Sequence, residues 1–455
     1  MPRWDYSKLA DFLETHLPAY ALRLIRQVEQ VSHSRGFKLY LVGGGAREVM
    51  RAFVRQTSPE DLQYFVLDLD FAVEGDAVAL AEAAAHAHGG DLVRNLPFLT
   101  AKWITPNGYA VDFSTCRREA YPVPGSLPEV LGTADIYEDL LRRDFTVNSL
   151  AVSLSRDDFG SLLDPLGGVG DVFTKTLRIL HEASFFDDPT RITRAIRYCT
   201  RLNYRMDHQT ALALQQGIEE SYFDLVSPER IRYELECIFS ENYWFGMIWF
   251  AHTSGILSSI HPAWRQLPTT SGQDAEVLEL GIRNQGELLE QEMIPSWLVR
   301  LSWSLLSVPP DLLGSLLDRI GMHRRLARSM LEARRKYEEV KARMNHPGFC
   351  PSRIYRVCKE YSRKTLLFIV FNSYLDRDTE PLRRNLLKHL RDLSPRRAVL
   401  QGQRLVNLGL PPGPLIEKAQ EELWWLKIDG KLPDQNTVER AAREIVQRYL
   451  SQPMI

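Results

Sequence analysis

Two aspartates stand one residue apart in Leu67-Asp68-Leu69-Asp70-Phe71, inside an apolar run that reads as a buried strand. In a strand, side chains at i and i+2 leave the same face, so both carboxylates point the same way, roughly 6.5–7 Å apart. Two ionised groups so placed repel each other and lose hydration, and they require a counter-charge. A divalent cation supplies it, and the chemistry such a pair supports is metal-dependent phosphoryl transfer. A metal pair also calls for a third carboxylate from a neighbouring strand. Asp112, in Val111-Asp112-Phe113, is the natural candidate. Without further context, Asp-x-Asp is equally a pair of solvent-facing or capping residues.

Three more segments carry chemistry of the same kind. In Leu41-Val42-Gly43-Gly44-Gly45-Ala46-Arg47, glycines after a strand let the backbone approach a phosphate, and Arg47 adds a charge-assisted bond. Alone, Gly43-Gly44-Gly45 is also a plain turn. In Arg142-Arg143-Asp144-Phe145-Thr146-Val147-Asn148, the arginines suit a triphosphate and a sugar, and Asp144 suits a ribose hydroxyl. In Asp187-Asp188-Pro189-Thr190-Arg191, continued by Arg194 and Arg197, proline at the first helical position marks a helix start. Asp188, Arg191, Arg194 and Arg197 recur every third residue and share a helical face, for which a solvated ion-pair stripe is the bland alternative.

The elements that must position these groups change character along the chain. Up to about residue 156, strand and helix signals mix. Lys38–Val42 and Gln63–Val73 read as strands, and Asp76 caps an alanine-rich helix that stops at Gly89-Gly90. Ala101–Thr105 and Tyr109–Phe113 flank Pro106-Asn107-Gly108 as a hairpin, and Asn148–Leu154 is β-like. Beyond Asp164-Pro165 helical periodicity dominates. Ser227-Pro228 starts a helix, and Pro262, Pro268 and Thr269-Thr270-Ser271-Gly272 mark a linker. The expected division is 1–156, 157–262, 263–390 and 391–455.

A chain of 455 residues exceeds one core, and 44% hydrophobic with 25% charged residues is an ordinary globular composition. A formal charge of −2 argues against a globally basic nucleic-acid binder. No apolar run approaches a membrane span, and the amino terminus lacks an apolar signal core. Five scattered cysteines without a CxxC pair imply reduced thiols and a cytoplasmic setting.

Taken in order, these segments resemble the class II tRNA nucleotidyltransferases, the CCA-adding enzymes and their bacterial poly(A) polymerase relatives. The family's Gly-Gly-x-Val-Arg-Asp corresponds to Gly43–Glu48, its metal pair to Asp68 and Asp70, and its ribose motif to Arg142–Ala151, including Asn148. The nucleotide-selecting Glu-Asp-x-x-Arg corresponds to Asp187–Arg191, and Ser227–Leu235 resembles the last motif. Leu405–Lys431 resembles tail segments of the family. Ala46, Glu48 and Asp187 depart from the usual valine, aspartate and glutamate. The resemblance implies an α+β chain: a polymerase β-like nucleotidyltransferase head with a mixed sheet, then an all-α neck, body and tail. It also implies Mg²⁺ on Asp68 and Asp70, the substrates CTP and ATP, and a tRNA held by its 3′ end and acceptor stem.

Base selection follows from hydrogen-bond chemistry. Cytosine and adenine both set an amino donor beside a ring-nitrogen acceptor, which Asp188 and Arg191 match. Uracil and guanine present the reverse, and buried unpaired polar groups make that mismatch costly. The resemblance further implies that the loop at Tyr121–Glu129 governs the switch from C to A addition. The segment is not shortened, which favours A addition, and its proline-rich wording resembles relatives with divided labour and keeps an A-only enzyme open; a CC-adding specialist and a poly(A) polymerase share the chemistry. A non-catalytic RNA-binding relative is the rival of another class, opposed by the intact Asp68, Asp70 and Asp112. Basic clusters at His323–Arg343 and Arg383–Arg397 suit an acceptor stem or a solvated helix face.

Overall fold

The computed structural model describes residues 4–58, 68–265, 271–376, 378–393 and 398–451. Residues 63–67 of the expected strand, Pro268–Thr270 of the expected linker, and Arg396 and Arg397 lie outside them. The chain forms two compact units, Met1–Ile238 with Gly246–Ile260, and Phe239–Phe245 with His261–Ile455.

The first unit is built on strands β1 (Lys38–Val42), β2 (Leu69–Glu74), β3 (Asp91–Asn95), β4 (Thr100–Ile104), β5 (Ala110–Thr115), β6 (Arg117–Ala120), β7 (Glu129–Thr133), β8 (Ala151–Ser153) and β9 (Leu162–Leu163). Seven of them form one mixed sheet in the order β3-β4-β5-β2-β1-β8-β9. Only β2 and β5 run parallel, and their register sets Asp70 opposite Asp112 and Phe71 opposite Phe113. Because side chains alternate, the aspartates share one face and the phenylalanines the other. The two buried rings meet edge to face at 5.6 Å, and a one-residue slip would put aspartate into that core. The apolar pair on one face thus fixes the charged pair on the other.

β1 runs antiparallel beside β2, with Leu41 opposite Phe71, and passes directly into the helix Gly43–Arg55. Two glycines make that transition possible. Gly43 has φ +60°, and a Cβ on Gly45 would stand 2.4 Å from the carbonyl oxygen of Asp68. The helix Ala77–His88, capped by Asp76 Oδ1 on Ala79 N at 2.9 Å, packs on β4 and β5. β4 and β5 form the expected hairpin around 106–108. β6 and β7 make a separate two-stranded hairpin with an irregularity at Arg118/Glu119, and the loop 121–128 is its tip.

Some expectations shift. Asp68 precedes β2 rather than lying inside it, and it is exposed. The β-like run at 148 begins only at Ala151, because Thr146–Asn148 closes a 3₁₀ turn first. Pro262 opens a short helical turn that buries Trp264, so the linker reading fails there. Ser271 instead starts the next helix with a reciprocal capping box to Asp274.

The second unit is helical throughout its described residues. Its basic helix Arg324–Met344 is laced with ion pairs, Lys336 to Glu339, Lys341 to Asp376 and Arg343 to Glu360. Leu405, Leu423, Val438 and Ile445 form a core of their own near the carboxy terminus. No described helix is long and apolar enough to cross a membrane. All five cysteines are free.

The turn after β1 generates a test. Gly45→Ala should destabilise the protein by about 2 kcal/mol or more, because a backbone oxygen cannot yield to the new methyl. Gly314→Ala, within the helix Pro310–Arg319 and with nothing near its Cβ position, should instead stabilise by about 0.5–1 kcal/mol. Thermal melts of the two variants compare them; a neutral Gly45→Ala would contradict the packing described.

Candidate active site

The centre of the site is the carboxylate cluster on β2 and β5. Burial, then the charges of Asp112 and Asp68, pushes Asp70 up to about 6. Asp70 Oδ2 lies 3.5 Å from where a Cβ of Gly43 would stand, and Asp68 Oδ2 lies 3.9 Å from that of Gly44. The amino terminus of the helix Gly43–Arg55 therefore begins beside the aspartates, with its positive dipole end at the place where an anion would approach. Asp112 is half exposed and pairs with Lys102 Nζ at 3.1 Å. As they stand, no three His, Cys, Asp or Glu side chains among the described residues are gathered into a coordination set. The donor chemistry nevertheless fits a hard divalent cation: Asp70 and Asp112 stand in register with Asp68 just before β2, and burial of Asp70 and the charge of its neighbours favour added positive charge.

Arginines flank this cluster, and buried acids hold them. Asp139 is fully buried. Burial alone would raise it, but Arg143 and Arg142 override that and keep it below the usual carboxylate range. Arg142 donates to Asp139 Oδ1 at 2.6 Å and to Glu119 Oε1 at 3.0 Å, while Arg143 donates to Asp139 Oδ2 at 2.9 Å. Arg143 Nη1 then reaches 3.3 Å from the Cβ position of Gly43, on the same side as Asp70. Arg47 is buried, donates to Asn148 Oδ1, and lies over the Tyr198 ring at 5.4 Å. Asn148 donates to Asp144 Oδ1 at 2.9 Å, and Arg194 donates to Asp144 Oδ2 at 2.7 Å. Burial by itself would raise Asp144, but Arg194 and the Asn148 hydrogen bond hold it low.

The nucleotide-selecting segment differs from the sequence expectation. The helix is Thr190–Leu202, with Pro189 as its N-cap, so Asp188 precedes it in extended conformation at φ −137°. Its carboxylate caps the helix, accepting from Thr190 N at 3.1 Å and Thr190 Oγ1 at 2.7 Å. The arginines do not share one partner surface. Three-residue steps advance 300°, so each successive arginine is turned back by about 60° around the axis. Arg191 therefore meets the Arg142 carbonyl at 3.0 Å and the Tyr121 hydroxyl at 3.3 Å, Arg194 meets Asp144, and Arg197 approaches Glu234 at 3.7 Å. Arg191 is 5% exposed, so a solvated stripe is the wrong description of it. Beside it, a cleft of about 350 Å³ is lined by Glu119, Tyr121, Arg142, His181, Asp187 and Arg191.

The structure brings Asp68, Asp70, Gly43, Gly44 and Arg143 near one another at the turn after β1, with Asp112 opposite Asp70 on β5. Sequence reasoning gave no role to the residues that hold the arginines and Asp188: Asp139 and Glu119 on Arg142, Asp139 on Arg143, Tyr198 under Arg47 and Arg194, Glu234 near Arg197, and Arg230 on Asp188. Asp139 carried one readable signal, since it stands three and four residues before Arg142 and Arg143 on a helix. Arg230 carried its place in the Ser227–Leu235 segment that resembles the family's last motif, but nothing there pointed to Asp188 as its partner.

A family model described as the poly A polymerase head domain matches residues 39–178. An A-adding tRNA nucleotidyltransferase of Geobacter sulfurreducens is 27% identical over 96% of this chain and 48% of its own length. A second protein of that name, from Halalkalibacterium halodurans, is 35% identical over 51% of this chain and 52% of its own. The chain thus spans about half the length of the curated relatives it matches. A CCA-adding enzyme solved in an apo form is 28% identical, with a TM-score of 0.73 over 98% of this chain and 99% of that one.

The raised affinity of Asp70 for protons gives a pH test. The native carboxyl titrates near 6 and the unfolded one near 3.8, so metal-free protein loses stability as pH climbs through that interval. Asp70→Asn should therefore raise the melting temperature at pH 7.5, by the equivalent of about 2 kcal/mol. The gain should vanish below pH 4. Adding Mg²⁺ should stabilise the wild type at pH 7.5 and leave the variant unmoved. Equal responses of the two proteins would remove the carboxylate cluster from the metal assignment.

Proposed function

We propose that this chain is a class II tRNA nucleotidyltransferase that adds C and/or A residues of the 3′-terminal CCA to tRNA, a reading supported by the head-domain match and by the similar A-adding and CCA-adding proteins. The 3′-hydroxyl of the tRNA attacks the α-phosphorus of CTP or ATP, the bond to the β-phosphate oxygen breaks, and pyrophosphate leaves. The observation that carries this reading is the register of Asp70 and Asp112 on parallel strands, beside Asp68 and the glycine turn.

Nucleotidyltransferases of this family use a divalent metal, and Mg²⁺ is the ion assigned here. Asp68 and Asp70 would hold it with Asp112, where it would supply activation of the attacking hydroxyl and charge neutralisation at phosphorus. The chain's own groups do the rest. Gly43 and Gly44 offer backbone N–H groups at a helix terminus to the triphosphate, with Arg47, Arg142 and Arg143 as cationic partners. Asp144 and Asn148 face the sugar, Asp188 and Arg191 read the base, and Arg194 and Arg197 support them. The reading places the reaction in the cytoplasm, in keeping with five free thiols.

A narrower second reading is A addition alone. Both curated relatives described above carry the name A-adding. Three tRNA transcripts, ending before CCA, after C and after CC, offered CTP, ATP or both, separate the forms. A CCA-adding enzyme extends all three, an A-adding one extends only the last, and failure on every transcript overturns the proposal.

Base selection has its own test. Asp188→Ala with Arg191→Ala should slow use of the cognate nucleotide by about 100-fold or more while reducing discrimination against UTP and GTP. Steady-state kcat/KM for all four nucleotides measures it; unchanged selectivity would return both residues to a purely structural role.

A further inference from the structure

Lys102 stands at the edge of the carboxylate cluster, across from the glycine turn. In the sheet register, Asp70 on β2 faces Asp112 on β5, and Asp112 faces Lys102 on β4. Directly opposed residues share a face, so these three side chains form one row on the face that carries the acids. The next position in the row is Val93 on β3, which is 58% exposed and uncharged. Lys102 is therefore the outermost charge of the row. Its ammonium pairs with Asp112 Oδ2 at 3.1 Å, and the two side chains are 45% and 47% exposed. Such an exposed pair contributes little to stability, and a cation bound by Asp112 would repel the ammonium beside it.

Position across the sheet gives this lysine a direction. The strand order β3-β4-β5-β2-β1 sets Lys102 on one side of Asp70 and Asp112, and the glycine turn at the end of β1 on the other. Arg143 is on the turn side, with Nη1 3.3 Å from the Cβ position of Gly43. Three strand spacings, about 14 Å, separate β4 from β1. In-line displacement puts the attacking and leaving oxygens on opposite sides of the α-phosphorus. With the leaving pyrophosphate held by the turn and Arg143, the attacking hydroxyl arrives from the side of Lys102. The anions that arrive with it are the phosphates of the RNA.

We propose that Lys102 binds a backbone phosphate next to the 3′ end of the RNA, and that it becomes available for this when Asp112 turns from the ammonium to a bound cation. The proposal rests on the nucleotidyltransferase reading above. One lysine then serves two states: it neutralises Asp112 in the metal-free protein and seats the attacking strand in the loaded one.

The test uses the full chain with Lys102→Met, which keeps the length and removes the charge, and Lys102→Arg, which restores the charge. Both should melt with the wild type, because the pair is exposed. The probe is a labelled tRNA minihelix ending in CC with a 3′-deoxy terminus, so that anisotropy reads binding without turnover. With Mn²⁺ present, Lys102→Met should weaken binding about three- to tenfold and lower the slope of log Kd against log salt by about 0.7, one phosphate contact on a single strand. Lys102→Arg should keep the wild-type slope. Without the divalent ion, wild type and Lys102→Met should differ by less than about twofold, since Asp112 already holds the ammonium. A neutral methylphosphonate at each of the last two linkages, one per RNA, locates the contact. At one linkage it should weaken wild-type binding and leave Lys102→Met binding unchanged. In turnover, KM for the tRNA should rise while KM for the nucleotide stays within about twofold. Additive losses at both linkages, an unchanged salt slope in Lys102→Met, or the same loss with and without Mn²⁺ overturns the proposal. A wild-type protein that transfers no nucleotide to any tRNA overturns the parent reading instead, and the binding measurements, which need no transfer, keep the two failures distinguishable.

Discussion

Everything in the amino-terminal unit is arranged around the mutual repulsion of carboxylates forced into one place. Asp70 and Asp112 are abreast because β2 and β5 run parallel in a register that Phe71 and Phe113 lock from the opposite face. Asp68 joins them from the residue before β2, whose own carbonyl is crowded against Gly45. A fold selected for stability alone would not keep three acids together where burial already pushes one of them up to about 6. A bound cation would offset the cost, and the surrounding positive groups approach the cluster without neutralising it. Arg143 is held by Asp139 and only approaches Asp70; it does not close an ion pair with it.

The arginines form a relay in which buried acids set direction. Asp139 aims Arg142 and Arg143, and Asp144 joins Asn148 and Arg47 to Arg194 of the selecting helix. Tyr198 lies under Arg47, Arg194 and Arg201 together, at 5.4, 5.6 and 5.4 Å from their guanidinium carbons. Each of these acids would be expensive to bury alone, and each is surrounded by fixed donors. The consequence is preorganisation: Arg47, Asn148, Asp144 and Arg194 are joined side chain to side chain, as are Arg142 and Arg143 through Asp139. Separately, Arg230 joins the Asp188 carboxylate to the carbonyls of Gly125 and Ser126.

Much of this was legible in the residues because it is local or periodic. The spacing of Asp68 and Asp70 brought them together although only Asp70 lies in the strand, the hairpin signal at Pro106-Asn107-Gly108 delivered Asp112 to the neighbouring strand, and Asp76 announced its helix. The resemblance supplied the order of the segments. What stayed hidden depends on contacts between distant segments. That Asp188 caps a helix rather than extending its stripe follows from Thr190 and from the short helix ending at Asp187. That Arg191 turns inward follows from Tyr121, 70 positions away in the chain. Arg230 and Gly125 are separated by 105 positions, and neither residue type suggests the other. Spacing can place a residue on a face, but it does not say what that face will meet.

The central claim is that the Asp68, Asp70 and Asp112 cluster is a cation site whose occupancy displaces a proton from Asp70. Calorimetric titration of the full chain with Mn²⁺, run at one pH in buffers of different ionisation enthalpy, counts protons released per ion bound. The account predicts release of about half a proton near pH 6, falling towards zero above pH 8, and loss of the release in Asp70→Asn. Binding of the ion with no proton release near pH 6, or release that persists in Asp70→Asn, would contradict it.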